Sequence, residues 1–371
     1  MPTGLAAPGD LRDPSFDYRS IGGIAVRLVT FTPPGSAPRI GAFIDDDRKI
    51  VDLAAIAAAI SPDGDLRAFA SMLDLIDGGA AALDRARELQ EQALASGVEE
   101  AVRARADVRL EAPLPNPRRL RDCACFLQHL RNAREVRHTR LAAREDDPEA
   151  ALERYRAAGA LDVPAEWVAA PVYLNSNHLS IIGPDDEAIW PHGARRMDYE
   201  LEWAMVTGRA GTDISAADAR AHIFGYTIFN DISARDIQAI EIRSGAGMGG
   251  PGKDFDAGNA FGPCIVSADE IGNPYDLEMC ARINGEEWSR GNSGMMDHRF
   301  EDVLAHLSKN QTVHAGEIFG SGTVPTGCGL EHNRYLEDGD VIELDVAQLG
   351  VLTTRIAKPS GWRDRETPDR N

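Results

Sequence analysis

Glu200 and Glu202 stand two apart in the run Met197-Asp198-Tyr199-Glu200-Leu201-Glu202, and a third acid, Asp231, closes the apolar run that begins at Ile223. From Tyr199 to Val206 apolar and polar residues nearly alternate, the period of a strand whose successive side chains point to opposite faces. Glu200 and Glu202 therefore share one face, while Tyr199, Leu201 and Trp203 take the other. Two carboxylates a single pleat apart on a greasy strand repel and resist desolvation, so something positive belongs between them. The strand from Ile223 to Phe229 can deliver Asp231 to the same place. Three oxygen donors with no Cys or His among them suit a hard divalent cation, Mg²⁺ first and otherwise Mn²⁺ or Ca²⁺. Glu-x-Glu on a strand is a weak pattern by itself, and a solvated edge strand with scattered acids also satisfies it.

Two further groups stand close by in sequence. Asn230 to Gln238 reads as a helical turn after the strand, with Arg235 and Gln238 three apart and so on one face beside Asp231. An ordinary surface turn with an internal Arg–Asp pair fits the same residues. The Gly-rich stretch Gly245 to Lys253 ends Gly252-Lys253-Asp254. It lacks the Lys-Ser/Thr ending of a phosphate loop and fits better as a flexible loop that brings a cation to the acids.

These residues need a scaffold, and from Val172 onward strands dominate. Further strand candidates are Pro263 to Ser267, Met279 to Asn284, Val341 to Val346 and Gly350 to Ile356, with helices predicted at Ser215 to Ala221 and His298 to Ser308. Before this half lie residues 1–20, a Pro/Gly/Asp/Arg-rich arm, and then strands at Ala25 to Phe31, Arg39 to Ile44 and Ile50 to Leu53. Two or three Ala-rich helices follow over 54–106, and Pro113, Pro115 and Pro117 mark a linker. Cys123 to Leu127 reads as a strand, and Leu130 to Ala158 as a charged helical stretch broken near Asp147-Pro148. That stretch is too polar for core and is either a solvent-facing insertion or a lid. The fold class expected is α+β, mostly β, with a small α/β module (21–115), a catalytic domain (116–360, its helical insertion at 130–165) and a tail (361–371).

Composition limits the partners. Acidic residues outnumber basic ones by 59 to 39 over 371 residues, a formal charge of −20. That argues against a nucleic acid or an anionic membrane, both of which need a basic face, and it means an anionic substrate needs a locally positive pocket. Five cysteines do not suggest a disulfide framework, and Cys123 and Cys125 read as reduced packing residues. With no membrane-length apolar run and no leader pattern, a cytoplasmic location is expected.

The combination Asp198-Tyr199-Glu200-Leu201-Glu202, Gly225 to Gln238, Gly252-Lys253-Asp254-Phe255, Gly320-Ser321-Gly322-Thr323 and Asp338-Gly339-Asp340-Val341 resembles the fumarylacetoacetate hydrolase family, in the family's order. Arg27 to Phe31 and Arg39 to Ala42 are similar to its N-terminal module. The resemblance implies a β-roll catalytic domain, a homodimer and a divalent cation held by Glu200, Glu202 and Asp231, with Asp122 as a fourth carboxylate used by some members. It implies His129 as the base, paired with Glu331, although many smaller members place that acid where this chain has Asn132. Arg235, Gln238 and Lys253 match groups that bind the substrate and its developing charge, and Gly322 and Thr323 match the loop that receives a substrate carboxylate or carbonyl. The departures are Ile232, where Trp commonly follows the last acid, and the run Cys123 to Gln128 before His129; these bear on substrate identity.

The implied function is metal-dependent hydrolysis of a carbon–carbon bond in a β-diketone acid, an acylpyruvate or fumarylacetoacetate type of keto acid. His129 would activate the attacking water, and Arg235, Gln238 and Lys253 would stabilise the oxyanion and the departing enolate. A decarboxylase or keto–enol isomerase acting on a 2-oxo acid is the alternative, since both reactions pass through an enolate. A metal-dependent nuclease and a silent scaffold on the same fold are the readings from other classes.

Overall fold

The computed structural model describes residues 25–96, 98–245 and 247–364. The expected arm at 1–20 and the tail from 365 lie outside them. Nine α-helices are found among the described residues: α1 (Leu53–Ile60), α2 (Met72–Asp77), α3 (Gly79–Ser96), α4 (Leu127–Ala142), α5 (Pro148–Ala157), α6 (Ala165–Ala169), α7 (Arg235–Ser244), α8 (Phe300–Leu307) and α9 (Gly329–His332). None of the helices is long and apolar enough to cross a membrane.

The centre of the molecule is the antiparallel pair Leu201–Thr207 and Ile223–Asp231, in which every residue is buried. Both faces of this pair are covered, and the pleat sends alternate side chains into two cores. Leu201, Trp203 and Met205 enter one; Ala204, Val206 and Phe229 enter the other. In the first core the Trp203 ring meets Phe300 of α8 at 4.7 Å between centroids, and in the second Phe229 stacks on Phe261 at 4.3 Å. A carboxylate on such a strand cannot reach water, so Glu202 must find its partners inside the protein.

These strands belong to a 12-stranded sheet. On one side Asn259–Ser267 pairs with Ile223–Asp231 and then with Arg27–Thr32, so the first strands of the chain extend the same sheet through Arg39–Ile44, Lys49–Asp52 and Val102–Ala104. On the other side Glu317–Gly320 pairs with Leu201–Thr207, and Arg119–Cys123 joins it in parallel, which sets Asp122 opposite Gly320. Tyr173–Ser176 completes this edge. A 5-stranded sheet built around Glu278–Ile283 and the hairpin Val341–Val346/Gly350–Ala357 packs beside it. The mixed architecture is α+β with strands dominating the core.

Several local readings shift. The strand placed at Cys123 to Leu127 lies earlier, at Arg119–Cys123, and α4 already begins at Leu127. No α-helix forms over Ser215 to Ala221: Ser215 Oγ donates to the Asp218 carboxylate and accepts from Asp218 N, leaving a turn and a short 3₁₀ segment at Ala219–His222. The proline stretch is packed rather than loose, with Ala112 and Leu114 buried and Thr30 Oγ1 donating to Pro113 O at 2.7 Å. Residues 230–234 are extended and α7 starts only at Arg235. The break at Asp147-Pro148 is a helix start, with Asp147 Oδ1 accepting from Ala150 N and Pro148 in the first turn. All five cysteines are free and buried.

Candidate metal centre and its histidine flank

Strand pairing gathers four acids. Asp122, Glu200, Glu202 and Asp231, each buried, offer carboxylate oxygens that all lie within 4.8 Å of one another. Asp122 comes from the parallel strand, Glu200 and Glu202 from one face of the central strand, and Asp231 from the end of its neighbour. The space is tight. A Cβ on Gly320 would stand 2.9 Å from Asp122 Oδ1 and 3.0 Å from Glu202 Oε2, so the residue opposite Asp122 has room only for hydrogen.

Two cations face the cluster. Lys253 Nζ lies 2.6 Å from Glu200 Oε2 and also bonds Asp231 Oδ2, while Arg235 Nη2 lies 2.7 Å from Glu200 Oε1. Lys253 and Arg235 hold Glu200 well below the usual carboxylate range even though burial pushes the other way. The other three acids go up. Burial, reinforced by the neighbouring acids, pushes Asp122 to about 6 and Asp231 to about 8 against the pull of Lys253, and takes Glu202 well above its ordinary value. Asp122 Oδ1 and Glu202 Oε1 are buried with no hydrogen-bond partner among the described residues. Four clustered acids, two of them with orphaned oxygens, fit a hard divalent cation, and oxygen-only donors exclude a thiophilic preference.

His129 stands on the flank, in the first turn of α4, its Nδ1 2.8 Å from Glu331 Oε1. Glu331 Oε2 accepts from Asn132 Nδ2 at 2.6 Å and from Thr326 N at 3.0 Å. These donors hold the Glu331 carboxylate below its ordinary value although burial works against them. With Nδ1–H given to Glu331, Nε2 is the atom left to accept a proton. The flank joins the acids through an isolated strand-like bridge between Glu200 and Cys328, three residues before Glu331.

The remaining expected residues fall around this centre. Arg235 and Gln238 share a face of α7, with Arg235 Nη1 donating to Gln238 Oε1 at 3.1 Å. Gly322 has φ +76°, and its N–H donates to Glu202 Oε2 at 3.0 Å; a Cβ there would lie 2.2 Å from Cys123 O. Thr323 follows it, also buried. A narrow cleft bordered by Asn175, Asn177, Gly249 and Asp254 opens onto Asp231 and Lys253.

Two residues of the centre carried no assigned role in the sequence reading. Asp198, fully buried, accepts from Arg235 Nε at 2.7 Å and from the N–H groups of Gly329 and Leu330 at 2.7 and 3.0 Å, so it anchors both Arg235 and the start of α9. Asn230 Oδ1 accepts from Glu200 N at 3.1 Å and fixes the backbone beneath that acid. Asp198 shares the alternation that marked Glu200 and Glu202, which is the signal that could have found it.

The model of the fumarylacetoacetate hydrolase C-terminal domain matches residues 124–357. The chain belongs to the fumarylacetoacetate hydrolase family. Among curated relatives, a mitochondrial oxaloacetate tautomerase of Homo sapiens is 35% identical over 188 residues, 50% of this chain and 59% of that protein. The oxaloacetate tautomerase of Bacillus subtilis (strain 168) is 30% identical over 321 residues, 85% of this chain and 95% of that protein. A maleylpyruvate hydrolase of Sphingobium sp. SYK-6, solved with manganese(II) and pyruvate, shares the fold at a TM-score of 0.62 and 22% identity, over 90% of this chain and 99% of that one.

Proposed function

We propose that this fumarylacetoacetate hydrolase family member is a metal-dependent enzyme that interconverts the keto and enol forms of a short 2-oxo dicarboxylic acid of the oxaloacetate type. The observation that carries the reading is the carboxylate-oriented His129 standing beside four clustered acids. Two relatives that align along most of the chain are oxaloacetate tautomerases, which supports this choice of reaction.

Asp122, Glu200, Glu202 and Asp231 would hold the divalent cation, Mg²⁺ or Mn²⁺. When bound, such an ion supplies Lewis-acid polarisation of a carbonyl. The protein's own groups do the rest. His129 Nε2 takes the proton from the carbon next to the keto group, and Glu331 stabilises the imidazolium that results. The proton returns from Nε2 to oxygen or to carbon, which balances the tautomerisation with no other reactant. Arg235 and Lys253 meet the negative charge that builds on the enolate, and Gln238 orients a carboxylate of the substrate. Gly322 and Thr323 border the place where the second carboxylate would sit. A homodimer is part of the same proposal, and sedimentation of the purified protein decides it.

Hydrolysis of a β-diketone acid is the second reading. It is favoured by the same His129–Glu331 pair, which has the geometry to deprotonate a water. One assay separates the two: purified protein with Mg²⁺ or Mn²⁺, given oxaloacetate enol or an acylpyruvate, with ultraviolet absorbance followed for each. Fast loss of enol absorbance with slow diketone cleavage supports the tautomerase. Brisk diketone cleavage with uncatalysed tautomerisation overturns it in favour of the hydrolase.

A further inference from the structure

Lys253 reaches the acids from a Gly-rich loop, and something must hold that loop at the right height. α7 supplies it. Arg235, Gln238 and Glu241 recur every three residues along this helix and are all buried. Arg235 meets the acid cluster at Glu200 and donates to Gln238, whereas Glu241 turns to the loop: its Oε1 accepts from Gly252 N at 2.6 Å and its Oε2 from Gly250 N at 3.2 Å. Gly250 O in turn accepts from the N–H groups of Lys253 at 2.9 Å and Asp254 at 2.7 Å, and Gly252 O accepts from Ala234 N at 2.8 Å. The loop lies directly on the helix, since a Cβ on Gly252 would come within 2.6 Å of Gln238 N and one on Gly250 within 3.0 Å of the Glu241 carboxyl carbon.

We infer that Glu241 is a positioning residue for Lys253: its carboxylate clamps the two N–H groups that flank Pro251 and thereby sets the ammonium between Glu200 and Asp231. A buried carboxylate that receives two backbone N–H groups is oriented more firmly than one left to solvent, and the loop inherits that order. The inference rests on the reading that Lys253 serves the reaction, and it extends that reading to a residue that touches neither substrate nor metal. Glu241 can matter to catalysis only through the loop.

The test uses the full chain loaded with Mn²⁺ and four variants: Glu241→Ala, Glu241→Gln, Lys253→Met and the Glu241→Ala/Lys253→Met double. Amide exchange at Gly250 and Gly252 should quicken at least about tenfold in Glu241→Ala while exchange along Leu201–Thr207 is unchanged. Glu241→Gln, which keeps one acceptor oxygen, should fall between. The enol–keto rate should drop about 10- to 100-fold in Glu241→Ala, the usual effect of losing a group that orients a functional one. In the Lys253→Met background the same change should cost less than about twofold, because nothing remains to position. Unchanged exchange at Gly250 and Gly252, or losses that multiply in the double variant, would overturn the inference. If Lys253→Met alone keeps the wild-type rate, the role given to Lys253 fails, and the exchange result still decides whether Glu241 holds the loop.

Discussion

The acids and the histidine are held in place by different means. Every residue from Leu201 to Thr207 and from Ile223 to Asp231 is buried, so Glu200, Glu202 and Asp231 are fixed by two cores and a continuous ladder of hydrogen bonds. α4, which carries His129, buries only Leu127 and Ala142 among its 16 residues. It is held from outside, by Glu331 taking both His129 and Asn132 and by Arg140 Nη2 donating to Asn333 Oδ1 at 2.7 Å. The ion pairs linking this helical region to itself, such as Arg156 with Glu153, are exposed and contribute little. The floor proposed to bind the cation is thus enclosed by the two cores, while His129, the proposed base, rides on an element fastened mainly by a few polar contacts. Binding of the ion and transfer of the proton should therefore fail separately.

The largest effect is expected at the floor. Glu202→Gln should lower the metal-dependent rate by about 10³-fold or more, since several kcal/mol of charge stabilisation depend on the ion. The metal-free variant should melt no lower than the wild type, because burial and the neighbouring acids already oppose the charged form of Glu202 and Gln is its neutral isostere. A large fall in Tm would mean that Glu202 is structural and would erase the contrast. On the flank, His129→Ala should cost about 10² to 10⁴ in rate, the range for loss of a general base.

Asn132→Ala should act more gently, by about tenfold, since one buried hydrogen bond to the Glu331 carboxylate is lost and Thr326 N and His129 remain. Hydrogen exchange should sharpen the same comparison: amides of α4 and α5 are expected to exchange faster than those of Leu201–Thr207, and to slow when a non-reactive oxaloacetate analogue binds. Equal protection with and without the analogue would make this region a fixed insertion rather than a lid. The smallest effect concerns pH. Glu331 is held below its ordinary value of 4.5, so the docking it provides is present above that pH and is lost as pH falls through the lower folded value. The protection of α4 amides, taken relative to their intrinsic exchange at each pH, should accordingly fall at acid pH in the wild type and be less sensitive to pH in Glu331→Gln.

The sequence disclosed local pattern well and long-range pairing poorly. Alternation from Tyr199 to Val206 was enough to place Glu200 and Glu202 on one face, and Asp147-Pro148 was legible as an interruption of the helical stretch, though as a break rather than as the capped helix start it is. Asp122 and Gly320 meet only because Arg119–Cys123 lies parallel to Glu317–Gly320, two stretches far apart in the chain, and no local period reports that. Their part in the site was reachable only through family resemblance. Asp198 shares the two-residue spacing of Glu200 and Glu202, which could have flagged it as an acid of the centre, but its partner Arg235 follows Ser233–Ala234, which reaches Met197–Asp198 only by strand pairing. Ser215 to Ala221 failed for the opposite reason: Ser215 and Asp218 satisfied each other in a turn before a helix could form.

The separation of floor and flank is tested most directly by titrating Mn²⁺ into His129→Ala while following oxaloacetate enol absorbance on the same preparation. The account predicts Mn²⁺ affinity equal to the wild type together with a tautomerisation rate lowered at least about 100-fold. Loss of Mn²⁺ binding in that variant, or an unchanged rate with binding intact, would contradict it.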